Sequence, residues 1–343
     1  MYLRAIITTI QEPTPSVHAL VEKLAGLAGD KARLIVAGDT KGPHVFTGPT
    51  DSPWPVDFLS IAAQESGKFT LAVDLPKKHY ARKNIAYLHA IAAGASCIYE
   101  TDDDNAPLDS WTLRTEMISS GRVIENAPAR WVNVYRYFSE ENIWPRGLPL
   151  DEIRIPVPTS ASFSIPKRAP IQQGLVNGSA DVDAIWRLVM DREFFFLAGE
   201  SVYLEPGNWC PFNTQSTWWW PVVYPLLYIP SYCSFRMCDI WKSFVAQRCL
   251  WELGFGVVFH APEVYQDRNI HDLTRDFQDE IPGYEKNRKI CKILSGLKLG
   301  SGEGAVSKNL IRCYEALTQQ GIFPPEEMSL VQCWVNDCNN TLK

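Results

Sequence analysis

A strand-like segment, Ser96-Cys97-Ile98-Tyr99-Glu100-Thr101, runs straight into three adjacent acids, Asp102, Asp103 and Asp104, and this junction limits the folds open to the chain. Three neighbouring carboxylates repel one another unless they are solvated or neutralised by a cation. Hard divalent ions such as Mn²⁺ or Mg²⁺ take oxygen ligands. Alternate residues of an extended chain point to opposite sides, so Asp102 and Asp104 are expected to share one side as metal ligands while Asp103 faces away. A solvated acidic turn would give the same pattern without a metal. The preceding residues favour the metal, because Ile85, Leu88, Ile91 and Ala92 recur at helical spacing before a stop at Gly94. That helix starts with Arg82 and Lys83 on its positive end, a setting suited to a diphosphate.

The rest of the N-terminal third alternates in the same way. Leu3 to Ile10 reads as a strand, Ser16 to Leu27 as a helix, Ala32 to Gly38 as a strand, Phe58 to Glu65 as a short helix and Thr70 to Val73 as a strand. This predicts an α/β fold with a mixed, mainly parallel sheet. Ligands of such sheets bind beyond the carboxyl ends of the strands. Thr8, Thr9, Asp39, Lys41 and Asp102 to Asp104 should therefore line one crevice, with Asp39 accepting from a base or ribose or serving only as a turn former. At 343 residues and 46% hydrophobic, the chain can bury a full α/β core plus an appendage. A net charge of -6 argues against a nucleic-acid partner. No apolar run reaches the roughly 20 residues needed to cross a bilayer, so the chain is expected to be soluble or cytoplasmic. The nine cysteines show no zinc-ligand spacing and are expected as reduced core thiols.

Further along, Trp131 to Phe138 reads as a strand, and two prolines and a glycine hold Arg146 in a rigid turn. Gln173 to Leu188 reads as a strand, a turn and a helix beginning near Asp181, with Asp181 as helix cap and Asp183 as first-turn acid. The apolar segment Trp218 to Pro230 reads as buried connecting structure. Tryptophans 209, 218 to 220 and 241 are candidates either for stacking on sugars or for the core. Asp239 opens a further helix, where it could be a first-turn acid or a general base. His260, closing the strand Val257 to His260, is a candidate third metal ligand, with His271 as its rival. Beyond about residue 280, helical periodicity predicts a small α-helical C-terminal extension.

Several motifs in fixed order, among them TDDDN, WPRGLPL, QGLVNGSADVDAIWRL, CPFNTQSTWWW, SFRMCDIW and VYQDRNIHD, resemble the STELLO-type glycosyltransferase-like family over about residues 75–280. More distantly the chain resembles the reversibly glycosylated polypeptides, the UDP-arabinopyranose mutases. The resemblance implies a GT-A, Rossmann-like nucleotide-diphospho-sugar transferase fold. It divides into a catalytic domain of residues 1–278 (nucleotide-binding half 1–105, acceptor or sugar half 106–278) and a helical extension of residues 279–343. It further implies Asp102 and Asp104 on a metal bridging the diphosphate, Asp103 on ribose or sugar, and Arg82, Asn84 and Asn177 among the donor contacts. Arg146 takes the place of the arginine that is glycosylated in the mutase relatives. Glu100 stands where the STELLO-type motif has Asp, and the chain lacks the membrane anchor of the plant proteins, so a Golgi lumen placement has no support in the sequence.

The activity expected is a metal-dependent glycosyltransferase moving a sugar from a nucleotide-diphosphate donor, UDP by resemblance, to a glycan or other hydroxyl acceptor. Asp239 is the first choice for the base and Asp183 the second. The alternatives are a nucleotide-sugar pyranose/furanose mutase and a noncatalytic partner of a glycan-synthesising assembly.

Overall fold

The computed structural model of the chain describes residues 1–28, 31–48, 54–267 and 272–342. Apolar residues at period two build its centre. In β1 (Leu3–Thr8), Leu3, Ala5 and Ile7 point to one face of the sheet and Ile6 to the other. The parallel strands β2 (Ala32–Ala37), β3 (Val56–Leu59) and β4 (Cys97–Thr101) extend it in the order β3-β2-β1-β4. The helices α1 (Pro15–Ala28), α2 (Ile61–Glu65), α3 (Leu71–Asp74) and α4 (Lys83–Ala92) connect these strands. Two expectations fail here. Residues 70–73 form the start of α3 and no strand, and Val56–Leu59 is a strand that precedes the helix placed at Phe58.

β5 (Asn105–Pro107), β6 (Met117–Ile118), β7 (Gly121–Ile124), β8 (Arg130–Trp131), β9 (Ala161–Phe163), β10 (Lys167–Arg168) and β11 (Ile171–Gly178) follow, then α5 (Ala184–Met190), β12 (Val202–Leu204), β13 (Asn208–Trp209) and β14 (Ser216–Trp219). The expected strand at Trp131 to Phe138 shrinks to β8 and a 3-10 turn at Val134–Tyr137. After α6 (Cys238–Trp251) comes β15 (Val257–Gln266), and the main sheet continues from β4 through β14, β11, β15, β12 and β7 to β9. β14 runs antiparallel to both β4 and β11, while β11 and β15 run parallel to each other. The sheet is thus mixed, with its N-terminal four strands all parallel, in keeping with the α/β class expected.

β14 is the joint between the halves. Trp218 and Trp219 point to opposite faces, and each indole N–H meets a buried carboxylate: Trp218 donates to Glu263 at 2.9 Å, Trp219 to Glu100 at 2.7 Å. Gly174 on β11 makes room for Glu263, whose side chain a Cβ there would meet at 2.3 Å. Trp209 and Trp241 are also fully buried, so these four tryptophans are core and not sugar platforms.

α7 (Leu273–Ser295), α8 (Val306–Gln319) and α9 (Glu326–Thr341) bury Ile290, Leu294, Leu310, Tyr314, Leu317, Leu330 and Trp334 in the same cluster as α4 and α6. Two acids fasten α9. Glu327 accepts from Tyr228 Oη at 2.5 Å and from the backbone N–H of Ser231 and Tyr232, and Asp337 accepts from the N–H of Leu71 at 2.9 Å. The cysteines among the described residues are free. No helix among the described residues is long and apolar enough to cross a membrane.

Candidate active site

β1, β2, β4, β11 and β15 end on one edge of the sheet, and a crevice of about 390 Å³ opens there. Thr8, Thr9, Asp39, Lys41 and Asp102 to Asp104 line it, joined by Lys78, His79, Tyr80, Thr214, Gln215, Gln266 and the group Arg146, Asp181, Phe235, Arg236 and Asp239. That volume lies in the range of small-ligand sites.

The acids do not sit as an extended chain would place them. Strand β4 stops at Thr101 and the chain turns, with the Asn105 N–H donating to the Asp102 carbonyl at 3.3 Å, so all three carboxylates line the crevice. Asp102 accepts from Tyr80 Oη at 2.6 Å and from Lys83 Nζ at 3.1 Å. Asp103 accepts from the Thr9 hydroxyl. Asp104 Oδ2 accepts from Gln266 Nε2 at 2.9 Å, while its Oδ1 is buried without a partner among the described residues. Burial, reinforced by the charges of Asp102 and Asp103, pushes Asp104 up to about 7. A buried, orphaned carboxylate oxygen beside two further acids is a setting that a divalent cation would relieve. Among the described residues no group of three or more His, Cys, Asp and Glu is arranged to close around a metal. Mg²⁺-type sites commonly use one or two carboxylates together with substrate phosphates, a number that Asp102 and Asp104 would supply.

His260 is not a ligand. Its Nδ1 lies 2.7 Å from the Ser201 hydroxyl and its Nε2 3.0 Å from Gln172 Oε1, so both ring nitrogens are engaged. Burial, with the charge of Arg114, holds its pKa well below the usual imidazole range. β15 continues six residues past it, about 20 Å at strand rise, and the side chain that reaches the acids from this strand is Gln266. His271 lies outside the described residues.

Three expected donor contacts are also elsewhere. Arg82 is fully buried and spends its guanidinium on Gln64 Oε1 and the carbonyls of Ala72 and Leu75. Asn84 pairs with both backbone groups of Ile229, and Asn177 accepts from the Phe196 N–H at 3.0 Å. The cation of the helix start that does reach the acids is Lys83, which also donates to the Thr101 carbonyl at 2.6 Å. Asp39 stands at the crevice, but its carboxylate accepts from the N–H groups of Thr40, Lys78 and His79, and these outweigh burial to keep its pKa low. It thereby fixes Lys78 in a left-handed conformation, φ 58°.

At the far end Arg146 lies between Asp181 and Asp239, bonded to each by two N–H groups at 2.8–3.0 Å. Asp183 is absent from this group. It is the N-cap of α5, accepting from the Trp186 N–H and from Trp144 Nε1, both at 2.8 Å. The crevice acid is Asp181, two residues earlier. We expect Asp183→Ala to cost about 1–2 kcal/mol in urea unfolding, as lost N-caps do, and to leave nucleotide affinity unchanged by calorimetry. A binding loss at full stability would return Asp183 to the site. Sequence reasoning also missed Phe235, more than half exposed beside the crevice and edge-on to Tyr80 with ring centroids 5.9 Å apart.

A crevice beyond the carboxyl ends of the strands is where α/β sheets bind their ligands. The model of the STELLO glycosyltransferases matches residues 236–342. The chain is 26% identical over 298 residues to the probable glycosyltransferases STELLO2 and STELLO1 of Arabidopsis thaliana, a stretch covering 82% of the chain and 38% of those proteins. Its similarity to the STELLO glycosyltransferases matches the resemblance of its motifs, and the chain spans well under half the length of these relatives. Solved structures that match include glucosyl-3-phosphoglycerate synthase from Mycobacterium tuberculosis with phosphoglyceric acid, at 9% identity and TM-score 0.38, covering 84% of this chain and 80% of that one. Another is the mannosyltransferase PcManGT from Pyrobaculum calidifontis with GDP-Man and Mn²⁺, at 8% identity and TM-score 0.39, covering 99% and 86%.

Proposed function

We propose that the chain is a GT-A-type, metal-dependent glycosyltransferase that moves a sugar from a nucleotide diphosphate, UDP by family resemblance, to a hydroxyl acceptor. The observation that carries this reading is the crevice itself. One end gathers Asp102, Asp103 and the half-unpartnered Asp104 with Lys41 and Lys78 nearby, and the other holds Asp181 and Asp239 around Arg146. Asp102 and Asp104 are the residues that would hold Mn²⁺ or Mg²⁺. Bound there, the ion would neutralise charge on the leaving diphosphate.

The chain's own groups do the rest. Lys83 and Tyr80 hold Asp102 in place, and Thr9 holds Asp103. As the bond from the anomeric carbon to the diphosphate breaks, the electron pair leaves with the phosphate oxygen. The acceptor oxygen bonds to that carbon and gives its proton to the Asp239 carboxylate. Phe235 offers an exposed ring at the mouth for a sugar or acceptor face.

A proton NMR time course with UDP- and GDP-sugars and Mn²⁺ tests the reading. Slow release of the nucleotide from one donor supports it, ring isomerisation to a furanose would replace it with a mutase, and no turnover together with no metal-dependent binding would overturn it. Asp239→Asn should retain donor affinity and lose roughly 100- to 10,000-fold in transfer, the usual contribution of a general base.

A further inference from the structure

All five N–H donors of the Arg146 guanidinium are spent. Nε reaches Asp181 Oδ1 at 2.8 Å, Nη1 reaches Asp239 Oδ1 at 2.9 Å and the Arg236 carbonyl, and Nη2 reaches Asp181 Oδ2 at 3.0 Å and Asp239 Oδ2 at 2.8 Å. The group is almost wholly buried. A guanidinium nitrogen becomes a nucleophile only with a free electron pair, and this one is fully protonated and gripped on every edge. Although burial alone would lower its pKa, Asp181 and Asp239 hold it well above the usual range.

The two acids depend on the arginine in turn. Both side chains are almost fully buried, and two such carboxylates without a counter-charge do not both stay ionised. Among the described residues the neighbouring cations have other partners, Arg236 pairing with Glu280 at 2.8 Å while its charge also favours ionised Asp181, Lys242 with Glu100 at 2.8 Å, and Arg187 with the Ala180 carbonyl. Asn213 donates to Asp181 at 2.7 Å, Tyr135 donates to the Asp181 carbonyl, and Cys238 stays a neutral thiol.

We infer that Arg146 is a positioning residue and not a carrier of the sugar: clamped between Asp181 and Asp239, it sets the two carboxylates as a matched pair of hydroxyl acceptors at the sugar end of the crevice. Asp181 thereby joins Asp239 as a substrate-facing acid. The catalytic half of this inference rests on the transferase reading, whereas the clamp itself does not.

The experiment compares wild type, Arg146→Lys, Arg146→Gln and the charge-relieved double variant Arg146→Gln with Asp181→Asn. Urea midpoints from pH 5 to 8 read the clamp without any substrate. In Arg146→Gln one acid of the pair keeps a proton in the folded state, so its stability should fall as pH rises through this window, relative to wild type. The double variant, which leaves one acid beside neutral neighbours, should regain most of the wild-type slope. If Arg146→Gln fails to fold, recovery of folding in the double variant reads the same clamp. With the donor that wild type turns over, Arg146→Gln should lose roughly 100-fold in kcat with KM within about threefold, and Arg146→Lys should restore part of it. Intact mass after incubation with donor and Mn²⁺ should show no added sugar. A sugar mass on the Arg146 peptide, or a wild-type pH slope in Arg146→Gln, overturns the inference. Should wild type turn over no nucleotide sugar, the transferase reading fails while the urea profiles still decide the clamp.

Discussion

Asp102→Asn combined with Asp104→Asn should abolish Mn²⁺-dependent binding of a nucleoside diphosphate, a loss of at least about 100-fold or 2.7 kcal/mol, while the fold survives. Calorimetric titration of UDP with and without Mn²⁺ reads it, and unchanged affinity in the double variant would remove the metal from these acids. Asp104 supplies the sharper half of the argument. Because burial and its two neighbours raise it to about 7, the folded protein keeps a proton that the unfolded chain gives up near the ordinary carboxylate value. Stability drawn from this group is therefore whole below about pH 4 and is lost as pH rises to about 7. Asp104→Asn escapes that loss. Its advantage over wild type should be near zero at pH 4 and grow to on the order of 1–3 kcal/mol at pH 8 in the absence of divalent ions. Adding Mn²⁺ should close the gap from the wild-type side alone. A residue whose removal stabilises the protein and destroys binding is placed there for the ligand.

How much of this was readable from the letters depends on how local each signal is. The acidic crevice needed only contiguous residues: a strand, three acids and the helix before them. Even so, the turn at Asp103 could not be seen, because whether β4 ends at Thr101 or continues is decided by where its partner β14 begins. The end of β14, Trp218 and Trp219, was taken for a connection, since two adjacent tryptophans buried on opposite faces and followed by prolines show no alternation. His260 was misplaced for a comparable reason. β15 passes through Pro262, a residue that argues against a strand, and the structure accommodates it where the register with β11 slips between Gly174 and Val176. Capping logic put Asp181 at the cap of α5 and Asp183 in its first turn, whereas Asp183 is the cap and Asp181 the crevice acid. The choice depends on Arg146, 35 residues before Asp181, and on Asp239, 58 residues beyond it.

Glu100 is the most consequential residue that sequence reasoning passed over as a departure from the family motif, and its removal should be felt throughout the sheet. It is completely buried on β4, and its carboxylate takes Lys242 Nζ at 2.8 and 3.1 Å, Trp219 Nε1 at 2.7 Å and the Tyr87 hydroxyl. Those partners come from α6, β14 and α4, so one side chain joins both halves of the core. Its neighbour Thr101 gives the carbonyl that holds Lys83, and Lys83 in turn holds Asp102. Lys242→Met would leave the Glu100 charge with two neutral donors and no cation. Breaking one partner of a buried ion pair costs about 3–5 kcal/mol, and the stranded acid should take up a proton, so the loss should deepen as pH rises from 5 to 8. Lys242→Met with Glu100→Gln should recover most of it, because the amide oxygen still accepts from Tyr87 or Trp219 and no charge is left unpaired. Urea unfolding of the three proteins at both pH values checks this. A single-variant cost under about 1 kcal/mol would mean that water reaches the pair and that the joint between the halves is held by the tryptophans alone.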